Sequence, residues 1–153
     1  MKNHLSTAFR AGLILLAMIL ALSGCSLLNQ SSDVQSGPTA AQGAVLGRVV
    51  TAEQIGERNA PVNETNTFDA AQDRIYVVAE AQRIDPGTAM FARWSRDGRP
   101  FEDSPLVTAN KAYQDTFVEF HLEPVQGNFD PGQYTVQIFV NGNPDKQADF
   151  TVR

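Results

Sequence analysis

The side chains that most often carry acid–base or metal chemistry in proteins are scarce in this sequence. It has two histidines and one cysteine. His121 lies between Glu119 and Glu123 in a segment of alternating apolar and polar residues. A histidine with a carboxylate beside it has the chemistry of a general base or a metal ligand. A zinc site or a Ser-His-Asp triad needs further partners, and the other histidine, His4, lies in the basic N-terminal segment. We therefore expect His121 to be a solvated strand residue.

Carboxylates offer the remaining candidate chemistry, which is the binding of a hard cation such as Ca²⁺. Asp69 with Asp73, and Glu102 with Asp103, fall in segments that we expect to be loops. Neither pair has the alternate spacing of a dedicated calcium loop, and nothing marks two acids that face each other across a cleft. The sequence also shows no Gly-x-Ser-x-Gly turn and no glycine-rich phosphate loop. It predicts a protein that is not an enzyme and holds no metal and no cofactor.

The first 24 residues have the pattern of a secretory signal. Lys2, His4 and Arg10 precede an uncharged apolar run over residues 11–22. The twelve residues of this run are too few to cross a bilayer as a helix, which takes about 20. A basic start, a short apolar run and small residues after it indicate a segment that is cleaved off.

Leu22-Ser23-Gly24-Cys25 resembles the lipobox of bacterial lipoprotein precursors. The resemblance implies that the signal peptide, residues 1–24, is removed and that Cys25 carries a diacylglyceryl group and often a further acyl chain. Two or three acyl chains make a stable anchor, whereas a single chain binds reversibly. Inner-membrane lipoproteins of Gram-negative bacteria tend to have Asp after the cysteine, so Ser26 predicts the periplasmic face of the outer membrane. A lipidated Cys25 also leaves no thiol for a disulfide or a metal.

Residues 25–43 are expected to form the lipidated N-terminus and a flexible linker. This segment is rich in Ser, Gln, Gly and Ala, and a random coil of its length spans roughly 25 Å. The net charge of −5 becomes −7 when Lys2 and Arg10 leave with the signal peptide. An acidic surface argues against nucleic acid and against attraction to anionic headgroups. Membrane contact is therefore expected through the lipid on Cys25 alone.

From residue 44 to residue 153, short segments alternate apolar and polar residues and are separated by turn-forming residues. The predicted strands are 44–50, 74–81, 88–94, 116–122, 133–140 and 148–153. The predicted turns are Asp85-Pro86-Gly87, Asp97-Gly98, Asp130-Pro131-Gly132 and Asn141-Gly142. The region 52–69 is polar, and we expect it to be a loop that can include one helical turn. Six or seven strands at this spacing predict an all-β domain, an antiparallel β-sandwich.

Residues 130–136, DPGQYTV, resemble the Asp-x-Gly-x-Tyr-x-Cys pattern of immunoglobulin-like domains. The resemblance implies an immunoglobulin-like β-sandwich of about seven strands over residues 44–153. It also implies that the Tyr134 hydroxyl bonds back across a corner and that Trp94 packs into the core from the third strand.

The sequence departs from this family at its disulfide. Val136 stands where the pattern has a cysteine. We expect plain packing of Val136 with Val77 or Val78 to replace the bond.

Phe91 and Phe139 have the parity opposite to the core-facing residues of their strands. In the immunoglobulin arrangement the third and sixth strands are neighbours, so the two rings would lie side by side on an outer sheet face with Arg93 and Gln137 beside them. Two interpretations stay open. In the first, the rings are covered by a loop or by the segment before residue 70, or are ordinary exposed apolar residues. In the second, they form a patch that binds a partner protein or a glycan.

Two classes of function follow. The first is a membrane-anchored lipoprotein that displays a non-catalytic protein-interaction or structural domain in the cell envelope, with an envelope protein as its partner. It predicts a contiguous apolar patch on a sheet face. The second is a small-ligand or carbohydrate-binding module that uses the sandwich loops, and it predicts a concave site with convergent polar groups at the loop ends.

Overall fold

The computed structural model describes residues 43–153, and these form ten β-strands and one short 3-10 turn. The six long strands are β1 (Ala44–Ile55), β4 (Ile75–Ile84), β5 (Ala89–Arg96), β8 (Tyr113–Leu122), β9 (Gly132–Val140) and β10 (Asn143–Val152). The four short strands are β2 (Pro61–Glu64), β3 (Thr67–Phe68), β6 (Arg99–Asp103) and β7 (Val107–Thr108). The long strands include all six that the sequence predicted, and the short ones raise the number above the expected seven.

The strands make two sheets. One has the order β2-β1-β4-β8, and the other has the order β3-β10-β9-β5-β6 with β7 also paired to β5. Every pair is antiparallel except β3 with β10, where Thr67 and Phe68 run parallel to Thr151 and Val152. The predicted antiparallel sandwich is confirmed, and one short parallel pair is added at this edge, where the chain leaves β2 and joins the second sheet alongside its C-terminal strand.

The core lies between the two sheets and follows the alternation of apolar residues. Buried residues from both sheets form one cluster, among them Ile75, Val77, Phe120, Leu122, Met90, Trp94, Tyr134, Val136, Ile138 and Phe150. Val77 and Val136 are both fully buried in this cluster. Val78 is buried too, but it has the opposite parity on β4 and lies outside the cluster. Val77 is thus the residue that packs into the core with Val136.

The predicted corner at the start of β9 is confirmed. The Tyr134 hydroxyl donates a hydrogen bond of 2.7 Å to the Asp130 carbonyl. The Tyr134 ring stacks on Phe150 at a centroid distance of 5.1 Å, and Trp94 meets Phe150 edge-on at 6.2 Å. Trp94 has no exposed surface, as the resemblance implied.

Two tight hairpins are confirmed as well. Asp97 and Gly98 have φ angles of 50° and 77°, and Asn141 and Gly142 have φ angles of 51° and 80°. Two consecutive residues with positive φ are typical of the turn that matches strand twist in a two-residue hairpin, and Asn-Gly and Asp-Gly favour it. These turns fix the pairing of β5 with β6 and of β9 with β10.

The expected loop over residues 52–69 is wrong for much of its length. β1 continues to Ile55, a 3-10 turn covers Glu57–Asn59, and β2 then pairs back on β1 with Gln54 opposite Val62. This hairpin is polar and lies at a sheet edge, so its strands have no apolar alternation for a sequence pattern to detect.

The two ends of the sandwich differ in which turns and connections they hold. At the end where the described chain begins, here called the entry end, the Gly43 carbonyl accepts hydrogen bonds from Asp85 N (2.9 Å) and Thr88 Oγ1 (3.0 Å). The Asn141-Gly142 turn is at the same end. The opposite, far end holds the Asp97-Gly98 turn and the connection over residues 123–131. Within residues 43–153, no helix has the length and apolar character needed to cross a membrane.

Candidate interaction surface

The outer face of the six-stranded sheet carries Phe91 and Phe139, as the strand alternation predicted. Phe91 on β5 and Phe139 on β9 are direct register partners. Their rings are stacked, with centroids 4.6 Å apart and planes 7° from parallel. Each side chain is partly exposed, and the residues before and after it on each strand point the other way. The predicted juxtaposition is therefore observed.

Arg93 lies over this ring pair. Its register partner is Gln137, and its guanidinium carbon is 5.2 Å from the Phe139 centroid and 5.8 Å from the Phe91 centroid. A guanidinium at this distance is attracted by the negative face of the ring. We name Phe91, Arg93, Gln137 and Phe139 together the aromatic patch.

Asp103 fixes the position of Arg93, a role that the sequence did not predict. Its two carboxylate oxygens accept hydrogen bonds of 2.7 Å from Arg93 Nε and Nη2. This bidentate pair raises the pKa of Arg93 and, through the hydrogen bond and the nearby positive charge, lowers the pKa of Asp103. Since a bidentate pair holds the guanidinium in one orientation, Arg93 is preorganised above the rings.

The expected loop position of Glu102 and Asp103 is wrong, because both residues are in β6. Glu102 is the register partner of Trp94, and Asp103 is the register partner of Arg93. Neighbouring strand residues point to opposite faces, so the two carboxylates cannot chelate one cation. Burial raises the pKa of Glu102, and the charge of Glu123 raises it further.

The other titratable candidates are separated. His121 Nδ1 lies 3.3 Å from Glu119 Oε2, and the histidine side chain is exposed. Asp69 is in the connection after β3, where its Oδ1 accepts the backbone N–H of Ala71 at 2.8 Å. Over residues 43–153, no three His, Cys, Asp or Glu side chains converge as a metal site would require. Cys25, the proposed lipid attachment site, lies outside the described residues, as do the signal peptide and most of the linker.

Polar side chains continue on the same face beside the aromatic patch, towards the far end. Thr135 Oγ1 donates to Asp149 Oδ1 at 2.8 Å, and Thr151 Oγ1 donates to Gln133 Oε1 at 3.1 Å. An aromatic pair with a fixed cation and polar side chains beside it offers contact area and an oriented guanidinium donor, and aromatic residues and arginine are enriched at protein-binding surfaces.

A cleft of about 640 Å³ opens at the far end of the sandwich. It lies between the β5–β6 hairpin and the connection over residues 123–131, with Phe101, Val125 and Arg99 among its lining residues. The second class of function predicted a concave site at the loop ends, but no sequence pattern identified the residues of this cleft, because its two walls are far apart along the chain.

No family model matches the sequence, and no curated protein matches it. Among solved structures, the domain is similar to an immunoglobulin-like protein from Pseudomonas aeruginosa, with a TM-score of 0.52 and 12% identity over 76% of this chain and 100% of that chain. A superoxide reductase from Ignicoccus hospitalis has a TM-score of 0.42 and 13% identity over 72% of this chain and 83% of its own. A CARDB domain from Pyrococcus furiosus, crystallised with two metal ions, has a TM-score of 0.39 and 12% identity over 74% and 97%. The two lower scores bear on neither fold nor function. The topology and the first of these similarities together show that residues 43–153 form an immunoglobulin-like β-sandwich.

Proposed function

We propose that this protein is a lipid-anchored component of a bacterial cell envelope whose immunoglobulin-like domain binds an envelope protein through the aromatic patch. The observation that carries the proposal is the Phe91–Phe139 stack with Arg93 held above it on an exposed sheet face. The domain acts without catalysis in this proposal, and the lipid on Cys25 keeps it close to its partner.

The geometry of the patch suits recognition because little has to be ordered when a partner arrives. The two rings already support each other, and Asp103 already holds the Arg93 guanidinium. Preorganised side chains reduce the entropy cost of association. Aromatic residues and arginine are also the residue types that contribute most to binding at interface centres. The partner that fits would place an apolar side chain on the rings and a hydrogen-bond acceptor near Arg93 or Gln137.

The anchor is supported by the Leu22-Ser23-Gly24-Cys25 motif and the short apolar run before it. Replacing Cys25 with serine removes the thiol that takes the diacylglyceryl group. We expect the Cys25→Ser protein to lose incorporation of radioactive palmitate and to leave the membrane fraction or remain as an uncleaved precursor. A variant that is labelled and fractionates as the wild type does would refute the anchor, and it would leave the patch untouched.

Site-specific photo-crosslinking tests the patch. A photoreactive phenylalanine analogue at Gln137, inside the patch, should form an adduct with one envelope protein in living cells. The same analogue at the exposed Gln114 of β8, on the other sheet, should not. The Phe91→Ser/Phe139→Ser variant should lose the adduct at position 137.

A matched control separates lost binding from lost folding. Val45 and Val62 are exposed apolar residues of the four-stranded sheet, so Val45→Ser/Val62→Ser makes the same kind of change away from the patch. It should keep the adduct. The patch variant loses the ring–ring contact, which contributes about 0.5–1.5 kcal/mol beyond the area that the partly buried rings cover, so circular dichroism must show a folded protein before the adduct is scored. An adduct that persists in the folded patch variant would contradict the proposed surface.

A further inference from the structure

The cleft at the far end lies on the side of the sandwich opposite to the entry of the chain. β1 begins at the entry end with Ala44 opposite Ile84, whereas β5 reaches the far end with Arg96 opposite Arg99. A domain tethered through residue 43 would therefore present this cleft away from its point of attachment. Its volume of about 640 Å³ is within the range of small-ligand sites.

The charges that line the cleft leave one cation without a partner. Asp130 accepts a hydrogen bond from Arg96, and Glu123 accepts one from Arg74. Asp97 Oδ1 accepts the backbone N–H of Gln133 at 3.2 Å. Arg99, in contrast, is exposed and forms no ion pair or hydrogen bond through its side chain with the described residues. Asp130 and Glu123 are thus each paired with an arginine, Asp97 is bonded to the backbone of Gln133, and the Arg99 guanidinium is available.

Apolar surface lies beside this guanidinium. The Phe101 side chain is 50% exposed and Val125 is 89% exposed, and both line the cleft with Pro100 and Pro124. The Phe101 ring meets Tyr134 edge-on at 6.0 Å. Tyr134 is buried in the core, so the Phe101 ring packs on one side against a side chain whose position is fixed.

We propose that the far-end cleft binds a carboxylate carried on an apolar group, with Arg99 pairing to the carboxylate and Phe101 and Val125 covering the apolar part. Guanidinium groups recognise carboxylates with two parallel hydrogen bonds. When a ligand covers the exposed apolar side chains, the burial of their surface stabilises the complex. Two sources have this chemistry, a free small acid and the C-terminal residue of a peptide. The proposal is independent of the aromatic patch and of the lipid anchor.

Two-dimensional NMR titration of the full mature protein in detergent tests this site with defined probes. N-acetylphenylalanine has both the carboxylate and the apolar ring, and N-acetylphenylalanine amide has the same ring without the charge. We expect the acid to shift the amide signals of Arg99, Phe101 and Val125, and we expect the amide to bind about tenfold more weakly or not at all. Equal binding of the two probes, or no shift in the wild type at about 10 mM acid, would overturn the proposal.

Variants identify the residues responsible. Arg99→Gln should weaken binding of the acid about tenfold or more and leave the weak binding of the amide unchanged, and Arg99→Lys should retain part of the affinity. Arg58→Gln removes an equivalent exposed charge at the same end but outside the cleft, so it should bind as the wild type does. Unaltered binding by a folded Arg99→Gln protein would refute the role of Arg99.

A further comparison separates the two sources. The tetrapeptide Gly-Ser-Gly-Phe with a free C-terminus should bind more tightly than N-acetylphenylalanine if peptide ends are the ligand. Equal affinity would identify a small acid as the ligand. Binding of neither molecule would overturn the proposal for both.

Discussion

Trp94 offers a sharp test of how the core is held together, because its indole ring is fully buried and its Nε1–H has no acceptor among residues 43–153. Trp94→Ala should destabilise the domain by about 3–5 kcal/mol through lost burial and the cavity left behind. Domains of this size have a total stability of about 5–15 kcal/mol. This variant should therefore lose a large fraction of the domain's stability.

Trp94→Phe should behave differently. It keeps a six-membered ring against Phe150 and removes two buried carbons, at roughly 0.8 kcal/mol for each, together with the unpaired N–H. A buried donor without a partner costs about 1–3 kcal/mol, so its removal offsets most of the loss. We expect the free energy of unfolding of Trp94→Phe to lie within about 1 kcal/mol of the wild type.

Urea unfolding followed by far-ultraviolet circular dichroism measures both variants, since the signal does not depend on the tryptophan. A Trp94→Phe protein as unstable as Trp94→Ala would refute the reasoning, because it would mean that the indole N–H is hydrogen-bonded in solution. Wild-type tryptophan emission at the wavelength of a water-exposed indole would contradict the buried position itself.

Two further predictions concern single polar groups. Tyr134→Phe removes the 2.7 Å hydrogen bond to the Asp130 carbonyl and should lower the free energy of unfolding by about 1 kcal/mol, measured by the same urea titration; no change would mean that the corner bond contributes nothing to stability. Glu102 has a raised pKa in the folded protein, from burial and from the charge of Glu123, so its ionisation disfavours folding. Glu102→Gln should therefore raise the melting temperature at pH 7. The corresponding gain in the free energy of unfolding should be less than about 1 kcal/mol, because the site is partly solvated. This gain should disappear as the pH falls below 4.5, the ordinary pKa of glutamate. A gain that is the same at pH 3 and pH 7 would exclude ionisation as its cause.

The aromatic patch could be placed from the sequence because every step depended on local patterns. Alternation along β5 and β9 fixed which residues face outward, and the DPGQYTV segment indicated the immunoglobulin arrangement in which these two strands are neighbours. Side chains alternate between the two faces of a strand. Once β5 and β9 are taken as neighbours with the right alignment, Phe91 and Phe139 must lie side by side on the outer face. The structure shows both the strand pairing and the ring contact.

Asp103 could not be placed in this way. Its position beside Arg93 depends on a bulge in β6, where Trp94 pairs with Glu102 but the next residue, Ser95, pairs with Pro100. That shift adds one residue to β6 and decides which acidic residue lies opposite the arginine. The pattern of Arg99–Asp103 is polar and contains a proline, so its alternation does not reveal the register.

What the sequence by itself determined was the set of long strands, the Asp-Gly and Asn-Gly hairpins and the corner tyrosine, because each depends on the conformational preferences of a few consecutive residues. Only the tertiary structure shows the short edge strands, the parallel pairing of β3 with β10 and the cleft that both Arg99 and Val125 line. These features arise where segments distant in sequence meet at an edge or an end of the sandwich. No local preference specifies such meetings, because they follow from how the two sheets pack and where their loops are left.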